Sequence, residues 1–112
     1  MAEREHLRAG LDLMRSGAYF EAHEELELAW RGAAAGERDF FQGLVHVTVA
    51  WYQAGRGNAT GCRRQLEKAA RRLGPYSPEH RGVDVAALLR QVAAADPDAL
   101  PLPPLEVVEP ER

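Results

Sequence analysis

Between Glu37 and Ala54 the chain runs on without a turn cluster, and Phe40, Phe41, Leu44, Val45, Val47, Thr48, Trp51 and Tyr52 spread over a wide arc of the helical wheel. A helix lying on a single neighbour needs only one apolar stripe, so an arc this wide calls for neighbours on more than one side. The β-branched Val45, Val47, Thr48 and Val49 also suit a strand. The length of the pattern and the helical periodicity on either side favour a helix. A central helix of this kind demands an all-α bundle around it.

The flanking sequence supplies the partners. Leu7, Leu11 and Met14 recur at helical spacing over about Glu3 to Arg15, and Ser16-Gly17 breaks the pattern. A second helix is expected from about Ala18 to Arg31. Gly32 to Gly36 connects it to the central helix, whose first turn carries Glu37 and Asp39. Gly55-Arg56-Gly57-Asn58 is a turn with Asn58 as a cap. A fourth helix then follows on a narrow stripe of Ala59, Cys62, Leu66, Ala69 and Leu73, ended by Gly74-Pro75-Tyr76-Ser77-Pro78. Asp84 caps a shorter helix from about Val85 to Ala94, with Val85, Leu88, Leu89 and Val92 facing inward. From Asp96 onward Pro97, Pro101, Pro103, Pro104 and Pro110 exclude helix. The expected domain organisation is a single helical-bundle domain over 1–95 and an extended proline-rich tail over 96–112. Leu100, Leu102, Leu105, Val107 and Val108 are the tail residues expected to lie over the bundle. A shift of forty positions superposes Gly17 on Gly57, Leu26 on Leu66, Glu27 on Glu67, Ala29 on Ala69 and Leu11 on Trp51. That faint repeat predicts two antiparallel helix hairpins.

Composition narrows the class of function. With 46% apolar and 28% charged residues in 112, the chain has the profile of a soluble globular protein. A net charge of −3 gives no general field for nucleic acid or an anionic membrane. Cys62 stands alone, so no intrachain disulfide is available. Met1 to His6 lacks the apolar run of a signal peptide, and the run from Gly43 to Tyr52 is too short to span a bilayer. The expected location is the cytoplasm.

Phe20 to Arg31 holds the greatest chemical variety. Phe20, His23, Glu27 and Trp30 share one face of the second helix, and His23 and Glu27 form an i,i+4 pair. On an apolar side a buried carboxylate needs a partner. Arg38, Gln42, His46 and Gln53 line a narrow polar strip on the third helix. The candidate polar pocket between these helices therefore comprises His23, Glu24, Glu27, Trp30, Arg31, Arg38 and Gln42. Three readings stay open: a structural network in which Glu27 or Glu24 pairs with Arg31 or Arg38, a ligand or catalytic pocket, and a metal site. No cofactor is called for. Were a metal bound, His23, Glu27 and His46 are the candidate ligands, although the Glu-x-x-His pairs of a di-iron bundle are missing. Arg63, Arg64, Lys68, Arg71 and Arg72 around Glu67 read as a solvated face more readily than as a nucleic-acid contact. Cys62 and the aromatic residues Trp30, Trp51, Phe40, Phe41 and Tyr52 read as core.

Tyr19-Phe20-Glu21-Ala22-His23-Glu24, Trp30-Arg31, Arg38-Asp39-Phe40-Phe41-Gln42-Gly43-Leu44 and Gly57-Asn58 together resemble the bacterial and archaeal domain of unknown function 309, over roughly Leu7 to Leu73. The resemblance implies a small all-α bundle whose signature residues meet between the second and third helices. It implies no reaction. Gln42-Gly43-Leu44-Val45-His46 stands where Gln-Gly-Leu-Ile-Gln is common in the family, so a family-wide metal site using His46 is not implied. Gly17-x-Tyr19-x-x-Ala22 is also similar to the middle of a tetratricopeptide repeat, but the spacing exceeds that repeat's thirty-four residues. The expected function is a non-enzymatic binding or interaction module, with a homodimer and an unidentified protein or small molecule as expected partners. The alternative is an enzyme or small-ligand protein using His23 and Glu27 with Arg38 and Gln42.

Overall fold

The structure is a computed structural model that describes residues 2–107; Val108 and Pro110, assigned above to the tail, lie outside them. Its helices are α1 (Ala2–Arg15), α2 (Tyr19–Arg31), α3 (Arg38–Gly55), α4 (Ala59–Leu73) and α5 (Val85–Ala94). Short 3₁₀ turns, Ala35–Glu37 and Gly74–Tyr76, precede α3 and follow α4. The fold is all-α. Element bounds fall within about a residue of those expected from the sequence.

The central position of α3 follows from its composition. Phe40, Phe41, Leu44, Val47 and Ala50 are fully buried, and Val45, Trp51 and Ala54 nearly so. Thr48, also buried, satisfies its hydroxyl by donating to the Leu44 carbonyl at 2.8 Å, so the helix interior carries it without an orphaned donor. α3 packs on both α2 and α4, while α1 packs on α2.

The two hairpins close with the same hydrogen bonds. Gly17 N–H donates to Met14 O and Ala18 N–H to Leu13 O, at 3.1 and 2.9 Å. Forty positions on, Gly57 N–H donates to Ala54 O and Asn58 N–H to Gln53 O, at 3.0 and 2.9 Å. This is the Schellman pattern, which needs a left-handed residue, and Gly17 and Gly57 supply it with φ of 81° and 75°. Leu26 and Leu66, Ala29 and Ala69, and Leu11 and Trp51 are all buried, as the superposition predicts. Asn58 and Asp84 cap α4 and α5, each accepting at 2.9 Å from the N–H of the residue three positions on.

A small hairpin, which the sequence does not announce, precedes α5. Glu79–His80 (β1) and Val83–Asp84 (β2) pair antiparallel around Arg81-Gly82. Both turn residues have positive φ, as a two-residue hairpin of this hand requires. Beyond α5 the chain runs extended as a strap whose Leu105 and Val107 are buried against the helices.

Candidate functional site

The packing face of α2 is the stripe Ala22, Leu26 and Ala29, all fully buried, with a small residue on either side of the leucine. This leaves the His23–Glu27 face at the rim and not in the core. His23 Nε2 and Glu27 Oε1 lie 3.0 Å apart, with side-chain exposures of 24% and 40%. Glu27 therefore stands partly in solvent, and burial does not force a partner on it. Arg31 adds a looser contact to Glu27 at 4.0 Å. His23 Nδ1 faces the Phe20 carbonyl at 3.3 Å, so both ring nitrogens sit against oxygen acceptors.

The polar strip of α3 separates into different environments. Arg38 stacks its guanidinium on the Trp30 ring at 4.3 Å, which holds Trp30 half-buried under a cation instead of in the core. Gln53 accepts from Asn58 Nδ2 at 3.0 Å and so braces the α3–α4 turn. His46 is directed to α4, with Nδ1 2.7 Å from Gln65 Oε1. Burial lowers the His46 pKa below its ordinary value; the bond to Gln65 opposes this, and the cations Arg72, Lys68 and Arg71 add to it. Half-buried Gln42 and exposed Glu24 make no side-chain hydrogen bond or ion pair to His23 or Glu27 among the described residues. Of the seven residues expected to share a pocket, the structure links His23, Glu27 and Arg31 as one chain of contacts and Trp30 with Arg38 as another.

The cavity beside His23 is apolar and aromatic. Tyr19, Phe20, His23, Val49, Tyr52 and Gln53 line about 200 Å³ of it, and Glu27, Arg38 and Gln42 do not. Phe20 stands against both the His23 and Tyr52 rings, each at 5.5 Å between centroids, and remains 47% exposed. Tyr52, expected in the core, forms part of this surface instead, because α2 offers it Phe20 and not a covering helix. Among the described residues, no group of three or more His, Cys, Asp or Glu side chains is placed to hold a metal ion. No described helix is long and apolar enough to cross a membrane. On α4, Arg63 and Arg72 are engaged by Asp98 and Asp39 at 2.7 and 2.6 Å, which neutralises part of the basic face. Cys62 is fully buried, and burial pushes its thiol pKa up, as suits a packing residue.

A second polar cluster, with no counterpart among the sequence candidates, surrounds Arg81. Glu37 accepts from Arg81 Nε at 2.6 Å and meets His80 Nε2 at 2.8 Å, while Arg81 Nη2 reaches Glu3 at 2.5 Å. The Arg81 hydrogen bond, followed by His80, holds the Glu37 carboxyl below its ordinary pKa against a smaller effect of burial. Burial works against the Arg81 charge, but the bonds to Glu37 and Glu3 outweigh it and raise the Arg81 pKa. The His80 ring packs on Phe40 and Tyr76 at 4.7 and 4.8 Å, and Tyr76 donates to the Gly36 carbonyl at 2.7 Å. This cluster ties the β-hairpin to the α2–α3 connection and to α1. The dipeptide Arg81-Gly82 was the available turn signal; the partnership of His80 with Glu37 spans 43 positions and has no local signature.

Paired hairpins with matched turns and a histidine–carboxylate pair at the α2 rim define a small all-α helical-hairpin protein. The family model described as "Domain of unknown function (DUF309)" matches residues 7–65, more than half of the chain, and the chain belongs to that family. No curated protein and no solved structure matches it. The matched region includes the His23–Glu27 pair, the Trp30–Arg38 stack and His46; the Arg81 cluster and the strap lie largely beyond it.

Proposed function

We propose that this protein is a non-enzymatic helical interaction module that pairs with a second copy of itself through the outer face of α2 and the adjoining part of α3. The observation that carries this reading is the placement of Phe20 and Leu28, 47% and 42% exposed: they are the exposed large apolar residues among those described, and both stand on α2. Exposed apolar surface gathered on one element, and not scattered singly, is what marks an association surface. Phe20 is extended by Tyr52, over which Arg56 lies at 5.7 Å, so aromatic area and cations are available at one rim. The charges on this face support a second copy as the partner. Glu21 and Glu24 stand toward the start of α2, with Arg31 at its far end and Arg38 of α3 stacked beside it on Trp30. A two-fold axis that sets α2 against itself in antiparallel fashion brings acidic ends toward basic ends. Light scattering on the full chain should give twice the monomer mass, and Phe20→Asp should return it to a folded monomer whose melting temperature no longer rises with protein concentration. A wild-type monomer at every workable concentration contradicts the proposal.

The aromatic cavity favours one further reading, a small apolar ligand held against His23. Native mass spectrometry on protein purified without chelator or tag separates the two. Added mass that is lost in His23→Ala supports a ligand; a clean subunit mass supports the interaction module.

A further inference from the structure

The strap is held by a set of side chains that read its backbone. Trp51 Nε1–H donates to the Pro103 carbonyl at 2.9 Å, and the Tyr19 hydroxyl accepts from Leu105 N–H at 3.2 Å. Gln91 engages both sides of Glu106, donating to its carbonyl at 2.7 Å and accepting from its N–H at 2.7 Å. Arg15 Nε donates to the Val107 carbonyl at 3.0 Å. Leu105 and Val107 insert between these contacts and are 4% and 8% exposed. An extended proline-containing segment has no internal hydrogen bonds and several missing N–H groups, so its carbonyls must be met from outside. An indole N–H on a proline carbonyl, with apolar side chains seated on either side, is how aromatic-lined grooves take up such segments.

Two further observations separate the groove from its occupant. Arg15, Tyr19 and Trp51 lie within the stretch matched by the family model, whereas the strap and Gln91 lie outside it. The strap also borders an open cleft of about 410 Å³, lined by Gly17, Tyr19, Trp51 and Gly55 together with Pro101 and Leu102.

We propose that Arg15, Tyr19, Trp51 and Gln91 form a recognition groove for an extended proline-rich peptide, and that the strap is the ligand this groove holds in cis. The groove selects an extended backbone through its carbonyls and a Leu-x-Val pair through its apolar seats. The partner is a proline-rich segment of that kind on another chain.

The test uses the full chain carrying Leu105→Asp and Val107→Asp, which unseats the strap and keeps the groove. The probe is a capped peptide with the sequence of residues 99–107. The indole N–H resonance of Trp51 should move in the double variant and return toward its wild-type position as peptide is added. A scrambled peptide should bind roughly tenfold more weakly, and Trp51→Phe added to the double variant, followed by titration calorimetry because that variant has no Trp51 indole, should weaken the true peptide by about the same factor, one hydrogen bond's worth. If the double variant does not fold, Val107→Ala in the otherwise intact chain gives the same readout. No saturable shift in whichever variant folds, or equal shifts with the scrambled peptide, overturns the proposal. So does a wild-type dimer that persists in Phe20→Asp but dissociates in the double variant, since the occupant in trans is then the strap of a second copy.

Discussion

His46 shows how one buried side chain sets a pH response for the whole chain. In the unfolded state it takes up a proton as pH falls through about 6.5. In the folded state burial lowers its pKa, so it stays neutral further down. The unfolded state then binds more protons, and stability falls as pH drops below the ordinary histidine value. Urea unfolding at a series of pH values should show this loss in the wild type and a smaller loss over the same interval in His46→Leu. Equal slopes would mean that His46 is not the group responsible. Glu37 acts lower on the scale. Its carboxyl is held below its ordinary pKa, so its contribution is complete above the usual glutamate range and disappears as pH falls through the folded-state value. Arg81→Ala removes the bonds to Glu37 and Glu3 and should cost about 2 kcal/mol, a figure for charge-assisted hydrogen bonds at a partly buried site. That corresponds to a drop of about 8–16 °C in melting temperature for a domain this size, and an unchanged melting curve would show the cluster to be ornamental.

At the scale of elements, helix crossing distance is set by glycine. A Cβ built on Gly10 would lie 2.7 Å from Leu26 Cγ, and one on Gly43 would lie 2.6 Å from Leu73 Cγ. Both leucines are fully buried and cannot swing away. Replacing a mid-helix glycine by alanine gains about 1 kcal/mol in helix propensity, but overpacking a core costs about 1–3 kcal/mol. The clash should win at Gly43→Ala. Thermal unfolding is expected to show a lower midpoint there and a higher one at Gly55→Ala, where nothing lies within 4 Å. Helices were readable from the sequence because their signals are local: the apolar arc of α3, the Asn58 and Asp84 caps and the glycines at the hairpin turns. The face of α2 was misjudged because Phe20 and Trp30 outweigh Ala22 and Ala29 on a hydrophobic wheel. Small residues nevertheless allow the closer approach and take the packing side. His46 was readable as polar, but its choice of α4 depends on Gln65, nineteen positions away.

For the molecule as a whole, the two ends of the chain do different work around one core. The hairpins place the His23–Glu27 pair and the exposed Phe20 and Leu28 on an outer rim, while the strap crosses the turns and is read by Trp51, Tyr19, Arg15 and Gln91. The tail's prolines and leucines announced an extended segment; where it docks depended on side chains from α1, α2, α3 and α5 meeting in space, which no local pattern encodes. The His23–Glu27 pair separates the two readings of the rim. Glu27→Gln should leave the subunit mass and assembly unchanged if the pair is structural, and should remove a bound mass if it is a ligand site. The most direct measurement is native mass spectrometry of the full chain beside Phe20→Asp. The account predicts a wild-type dimer free of added mass and a folded monomeric variant. A wild-type monomer, or a dimer that survives Phe20→Asp, would contradict it.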